Sequence, residues 1–146
     1  MKKSHRARFK HADLGTTLGL SLDDPISLIK EIRAGLRIGI VNDLARLLGL
    51  PIQRVMRAMA ISARTLARRK RARRLHKEES ELLVRIVLML RAALRLFSGD
   101  MARAALWIST ANPVLANAAP LDLADTAPGY EAVRDLIGRI EHGVYS

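Results

Sequence analysis

The stretch IQRVMRAMAISARTLARR, from Ile52 to Arg69, decides the reading of this chain. Ile52, Val55, Met56 and Met59 recur at the spacing of one helical face, which turns Gln53, Arg54 and Arg57 toward solvent. Ala60, Ile61 and Ser62 leave room only for a tight bend. Ser62 is a good N-cap for a second helix, in which Leu66 returns to the core beside Ala63 and Arg64, Thr65, Arg68 and Arg69 stay exposed near the start. Two short helices joined by a tight turn, with a basic outer face on the second, form a helix-turn-helix pattern. In that arrangement the early exposed side chains of the second helix meet base edges in the major groove.

Charge supports the same reading. Eleven Lys and Arg lie between Leu44 and Lys77 with no Asp or Glu among them, whereas the remaining fourteen cations are matched by the chain's fourteen acids. The net charge of +11 is therefore local, as phosphate neutralisation requires. Arg64, Thr65, Arg68 and Arg69 are the candidates for base contact, since Arg pairs bidentately with guanine. Gln53 and Arg54, together with Lys70, Arg71, Arg73 and Arg74 in the run that ends at Lys77, suit phosphate, where base sequence does not matter.

Outward from this motif the pattern stays helical. Residues 1–23 are polar or basic without a sustained period and are expected to form a mobile arm, either idle or touching DNA. Asp24 and Pro25 open a helix whose apolar stripe is Ile26, Ile29 and Ile32, ended by Gly35. A second helix from about Ile40 to Leu48 is ended by Gly49 and Pro51. From Glu78 to Phe97 one long helix carries acids in its first turn and is apolar around most of its circumference, so it needs burial from more than one side. A dimer interface and the interior of a single chain both satisfy that need.

Beyond Gly99-Asp100 lie a short helix carrying Trp107, expected in the core, a loop rich in Asn, Pro and Ala, and a last helix from about Tyr130 to Glu141 with Ala132, Val133, Leu136, Ile137 and Ile140 on its buried face. Residues 112–146 hold five acids against Arg134 and Arg139. A basic module joined to a mildly acidic one points to two different partners. The expected fold is all-α: an arm over 1–23, a helix-turn-helix module over 24–77, a central or dimerisation helix over 78–98 and a small helical C-terminal module over 99–146.

Several classes are set aside. The chain has no Cys, which removes disulfides, thiolate catalysis and Cys-ligated zinc. His5, His11, His76 and His142 are scattered without metal-ligand spacing, so no metal site is expected. Asp122 and Asp125 lack a nearby nucleophile or Gly-rich phosphate loop, so no catalytic residue is assigned and no enzyme or cofactor is expected. The most apolar stretch, Leu82 to Phe97, is interrupted by three Arg and is too short to span a membrane. Without a secretory signal pattern, the expected location is the cytoplasm.

Phe97, Gly99-Asp100, Ala104, Trp107, Asn112-Pro113, Leu115, Pro120-Leu121, Thr126, Gly129, Val133, Leu136 and the ending from Gly138 to Ser146 occur in an order that resembles the Xre/ParS-type antitoxins of bacterial toxin-antitoxin operons. The stretch Ala63 to Arg69, with Glu79-Ser80 at the start of the long helix, extends the resemblance to about two thirds of the chain. It implies an N-terminal module that binds double-stranded DNA of the operon's own promoter, and a C-terminal module that covers the active site of a RES-domain, NAD-consuming toxin. Helix-turn-helix proteins commonly act as dimers on paired half-sites, and a homodimer is expected. On this resemblance the toxin contacts fall to Asn112, Pro113, Leu115, Pro120, Gly129, Arg139, Glu141, Val144, Tyr145 and Ser146. Arg139 and Glu141 read equally as surface charges and as part of a plug for the toxin's pocket. Two departures stand out. Ala60 occupies a turn position where these proteins usually have Gly, and Ala116-Asn117 replaces a Gly pair or Gly-Asn. A reading of another class is a stand-alone basic helical nucleic-acid-binding protein, of nucleoid or repressor type, with no toxin partner.

Overall fold

The structure, a computed structural model, describes residues 9–10 and 13–143. Among these residues the fold is all-helical: α1 (Asp13–Leu18), α2 (Pro25–Ala34), α3 (Gly39–Leu48), α4 (Ile52–Ala58), α5 (Ala63–Ala72), α6 (Lys77–Leu96), α7 (Met101–Ser109) and α8 (Ala127–Glu141), with 3₁₀ turns at Pro113–Leu115 and Pro120–Leu123. The boundaries follow local chemistry. Asp24 accepts the Ile26 and Ser27 N–H groups at 3.2 Å, with Pro25 opening α2. Gly49, left-handed at φ 63°, closes α3. Asp100 and Thr126 cap α7 and α8 by accepting the N–H groups of Arg103 and Gly129, each at 3.1 Å.

The long helix α6 is the axis of the molecule. Leu83, Ile86, Met89, Leu90 and Leu94 are fully buried, because α2, α7 and α8 all pack against it. Its nearly all-round apolar surface is thus covered within one chain. The core is one continuous cluster reaching from Leu14 to Ile137, so the N-terminal and C-terminal halves share it. Ser80, the buried polar side chain of this core, ties the start of α6 to the α2–α3 turn. Its hydroxyl donates to the His76 carbonyl at 2.7 Å and accepts the Leu36 N–H at 2.9 Å.

Two expectations are corrected here. The N-terminal segment is not an arm throughout: α1 buries Leu14 and Leu18, Leu20 and Leu22 follow them inside, and the Phe9 N–H donates to the Gly99 carbonyl at 2.8 Å. Residues 1–8 and 11–12 lie outside the described residues. A helix of six residues is too short to register as a period and owes its existence to docking. On α2 the expected stripe is only partly inside. Ile26 is 63% exposed and Ile29 41%, while Leu28 and Ile32 pack on the core. At about 100° per residue, Leu28 and Ile32 lie closer together around the helix than either does to Ile26, so they form the docking edge.

Candidate DNA and partner interfaces

The helix-turn-helix is α4 and α5. Val55, Met56, Met59 and Leu66 are buried between them and the core, although Ala63, expected beside Leu66, is exposed. The chain reverses at Ala60, whose φ of 53° is left-handed; the Ile61 N–H then donates to the Met56 carbonyl at 2.9 Å. Ser62 caps α5 by accepting the Thr65 N–H at 3.1 Å. An L-residue with a Cβ is disfavoured in this conformation by about 1–2 kcal/mol. Ala60→Gly is therefore expected to stabilise the protein by about 1 kcal/mol, a rise of roughly 2–4 °C in the thermal midpoint. Ala116, with φ 55° and ψ 37°, should respond alike. Unchanged midpoints in both glycine variants would count against strain at these turns.

Three of the cations assigned to DNA are engaged within the chain, a placement that the sequence expectation did not include. Arg54 forms a bidentate pair with Asp122, with Nη1 and Nη2 at 2.7 and 2.9 Å from the two carboxylate oxygens. Arg69 donates from Nε to Glu79 Oε1 at 2.7 Å and lies 3.1 Å from His76 Nδ1. Arg74 directs Nη1 to the Gly35 carbonyl at 2.8 Å. Helical periodicity placed Arg54 and Arg69 outside the α4–α5 core, and so they are. Periodicity carries no information about the Pro120–Leu123 turn lying across α4, or about Glu79 at the start of α6 lying beside α5.

Glu79 also accepts the His76 N–H at 2.8 Å. Burial pushes its carboxyl up, but the Arg69 guanidinium and the His76 N–H outweigh this and hold it below the ordinary carboxylate value. The stabilisation is therefore present above that ordinary value and is lost as pH falls through the depressed one.

Gln53, Arg57, Arg64, Arg68, Lys70, Arg71 and Arg73 remain exposed, and among the described residues these cations enter no ion pair. Thr65 is half-buried, with Arg68 Nη2 3.4 Å from its hydroxyl. Arg73, left-handed at φ 61°, ends α5, and its carbonyl accepts the Ile38 N–H at 3.1 Å.

In the C-terminal part, Asn112 is half-buried and its side chain accepts the Val114 N–H at 3.0 Å, while Pro113 is exposed. Leu115 and Pro120 are buried. Gly129 is packed where a Cβ would overlap the Leu123 carbonyl oxygen. Leu115 and Pro120 thus lie inside the module, while Gly129 is half-buried. Arg139 and Glu141 are exposed, with Glu141 3.7 Å from Arg95. Val144, Tyr145 and Ser146 lie outside the described residues. Trp107, expected in the core, is half-buried: it packs on the core and also lines a surface groove of about 470 Å³ with Phe97, Leu106 and Pro113. Its position on a short amphipathic helix gave no sign of that second role.

Among the described residues no group of three His, Asp or Glu side chains comes together in a way that could hold a metal ion. Among them, no helix is long and apolar enough to cross a membrane.

Known proteins match both halves. Residues 27–87 match the antitoxin Xre-like helix-turn-helix domain. Residues 92–143 match the antitoxin Xre/MbcA/ParS C-terminal toxin-binding domain. An antitoxin Xre of Yersinia enterocolitica is 35% identical over 130 residues, covering 88% of each chain. An antitoxin Xre of Photorhabdus laumondii is 30% identical over 122 residues, covering 84% of this chain and 75% of that one. The first domain ends within α6 and the second begins within it, and with a relative 35% identical over 88% of both chains the chain belongs to the Xre antitoxin family.

Proposed function

We propose that this antitoxin binds the promoter of its own operon as a homodimer, and that it neutralises a RES-domain, NAD-consuming toxin by covering the toxin's active site. It acts in the cytoplasm, by binding alone, and performs no reaction of its own. Residues 24–77 carry the DNA contacts, 78–98 join the halves and 99–146 carry the toxin contacts. The observation that carries this reading is the pairing, on one shared core, of a basic α5, whose exposed Arg64, Arg68, Lys70 and Arg71 enter no ion pair among the described residues, with a C-terminal part that matches a toxin-binding domain. The exposed Ile26 and Ile29 of α2 are an apolar surface available to a second copy, and the mass of the chain in solution tests the dimer.

Arg64, Thr65 and Arg68 read base edges, and Gln53, Lys70, Arg71 and Arg73 hold phosphates. Replacing Arg68 by Ala is expected to cost about 1–3 kcal/mol on the cognate promoter and little on random duplex. Arg73→Ala should weaken all duplexes alike and lower the salt slope by about 1. Titrations of both variants on cognate and random DNA at several salt concentrations check this, and equal losses on the two DNAs for Arg68 would remove it from base recognition.

A RES-domain toxin is expected in a reading frame adjoining the gene, and its co-expression with this chain should leave growth and cellular NAD intact. Deleting Val144 to Ser146 should reduce that rescue by a larger factor than it reduces helicity or promoter binding. Tyr145 is a large amphipathic anchor, chemistry suited to filling a pocket. Full rescue by the shortened chain would move the plug to the 112–121 loop.

A further inference from the structure

The outer face of α7 is an apolar ridge between two hollows. Leu106 is 67% exposed. It lines the groove of about 470 Å³ that includes Phe97, Trp107 and Pro113, and also a second groove of about 520 Å³ toward α3, formed with Leu47, Leu50 and Met101. Val114, next to Pro113, is 63% exposed. A single exposed leucine means nothing, but one standing between two apolar hollows makes a contiguous patch of the kind that marks a protein interface. The patch has charged margins: Arg103 borders the first groove and Arg46 the second. Each is largely solvent-exposed, and its nearest carboxylate is no closer than the loose i,i+3 contacts of 4.0 Å to Asp100 and 3.8 Å to Asp43.

We propose that this ridge-and-groove face of α7 is where the toxin docks, through an apolar segment that straddles Leu106 and carries carboxylates at its edges. The proposal rests on the reading that the chain binds a toxin, and it names the surface. Two observations select this occupant. The whole of α7 lies inside the matched toxin-binding domain, residues 92–143, and the cationic margins call for an acidic partner. A second copy meeting this face about a two-fold axis would set one cationic margin, Arg46 or Arg103, against another. Residues 1–8 of this chain, with Lys2, Lys3, Arg6 and Arg8, would also bring cations to cations.

The test is the affinity of the whole chain, as wild type, Leu106→Asp, Ala102→Arg and Arg103→Glu, for a purified RES-domain toxin identified in the reading frames adjoining the gene, with thermal midpoint, promoter binding and solution mass measured in parallel. Ala102 is exposed on the same helix and lines the second groove, so an Arg there blocks it without touching the core. Leu106→Asp and Ala102→Arg are expected to weaken the complex by about 30-fold or more, as loss of a central anchor does. Arg103→Glu should weaken it less, and chiefly at low salt, while promoter binding and midpoint stay unchanged in all three. If Leu106→Asp lowers the midpoint, Ala102→Arg decides. Wild-type binding with both variants equally tight overturns the docking face and leaves the antitoxin reading standing. A toxin complex that persists while Leu106→Asp halves the mass of the free chain assigns the face to a second copy and overturns the proposal. No binding by the wild type overturns both.

Discussion

Gly35→Ala is expected to destabilise the protein by about 4 kcal/mol or more, a loss found only where a backbone or core requirement is violated outright. Gly35 ends α2 at φ 86° and ψ 126°, a conformation costly for any residue with a Cβ. A Cβ there would also overlap the Leu75 carbonyl oxygen, which is backbone and has no rotamer by which to yield. The damage would spread, because this turn is laced to the α5–α6 connection. The Leu75 N–H donates to the Leu36 carbonyl at 2.8 Å, the Ile38 N–H donates to the Arg73 carbonyl at 3.1 Å, and Arg37 and Arg74 pair as an antiparallel bridge. The Leu36 N–H held by Ser80 belongs to the same junction. Separating these strands of loop to admit one methyl group breaks several buried hydrogen bonds together. Since a domain of this kind has only about 5–15 kcal/mol of stability in total, the urea midpoint should fall by a large fraction of its value. A midpoint within experimental error of wild type would show that the junction is not structurally required.

Leu90→Ala should be nearly as severe, at about 3–5 kcal/mol, the cost of a leucine-sized cavity that its surroundings cannot close. Leu90 is fully buried on α6, the helix against which α2, α7 and α8 all pack. The consequence for function is that DNA binding and toxin binding should fail together. Circular dichroism and Trp107 fluorescence should report one coincident transition in both wild type and variant, shifted as a unit. Two separated transitions would mean that the halves fold independently. The same argument bears on fragments: a piece starting near Glu78 would expose the α6 surface that α2 covers and the α7 surface that α3 covers.

Local features were largely legible. The helices around the decisive stretch, the caps at Asp24 and Ser62, and the stop at Gly49 followed from periodicity and from side chains that satisfy the first and last turns of a helix. The turn at Ala60 was legible through the resemblance, which implies Gly at that position and hence a left-handed backbone, and φ there is 53°. The docked α1 was missed because two leucines four residues apart in a short polar segment carry too little periodic signal. On α2, three isoleucines outweighed the pair Leu28 and Ile32 that the neighbouring helices contact.

What the sequence determined by itself is whatever depends on neighbours within about two turns of helix: the helical class, the turn geometry, the local excess of positive charge and the membership of α5 in a helix-turn-helix. Only the tertiary structure decided which of those charges remain free. Arg54 and Asp122 are 68 residues apart and Arg69 and Glu79 ten, yet both pairs close to 2.7 Å. A guanidinium carries the same charge in the sequence whether it faces phosphate or a carboxylate of its own chain, and what distinguishes the two is a contact between elements that no local spacing encodes. The same holds for α6. Its apolar girth fitted a dimer interface and a buried core equally well, and the choice fell to the core because α2, α7 and α8 converge on it from different parts of the chain.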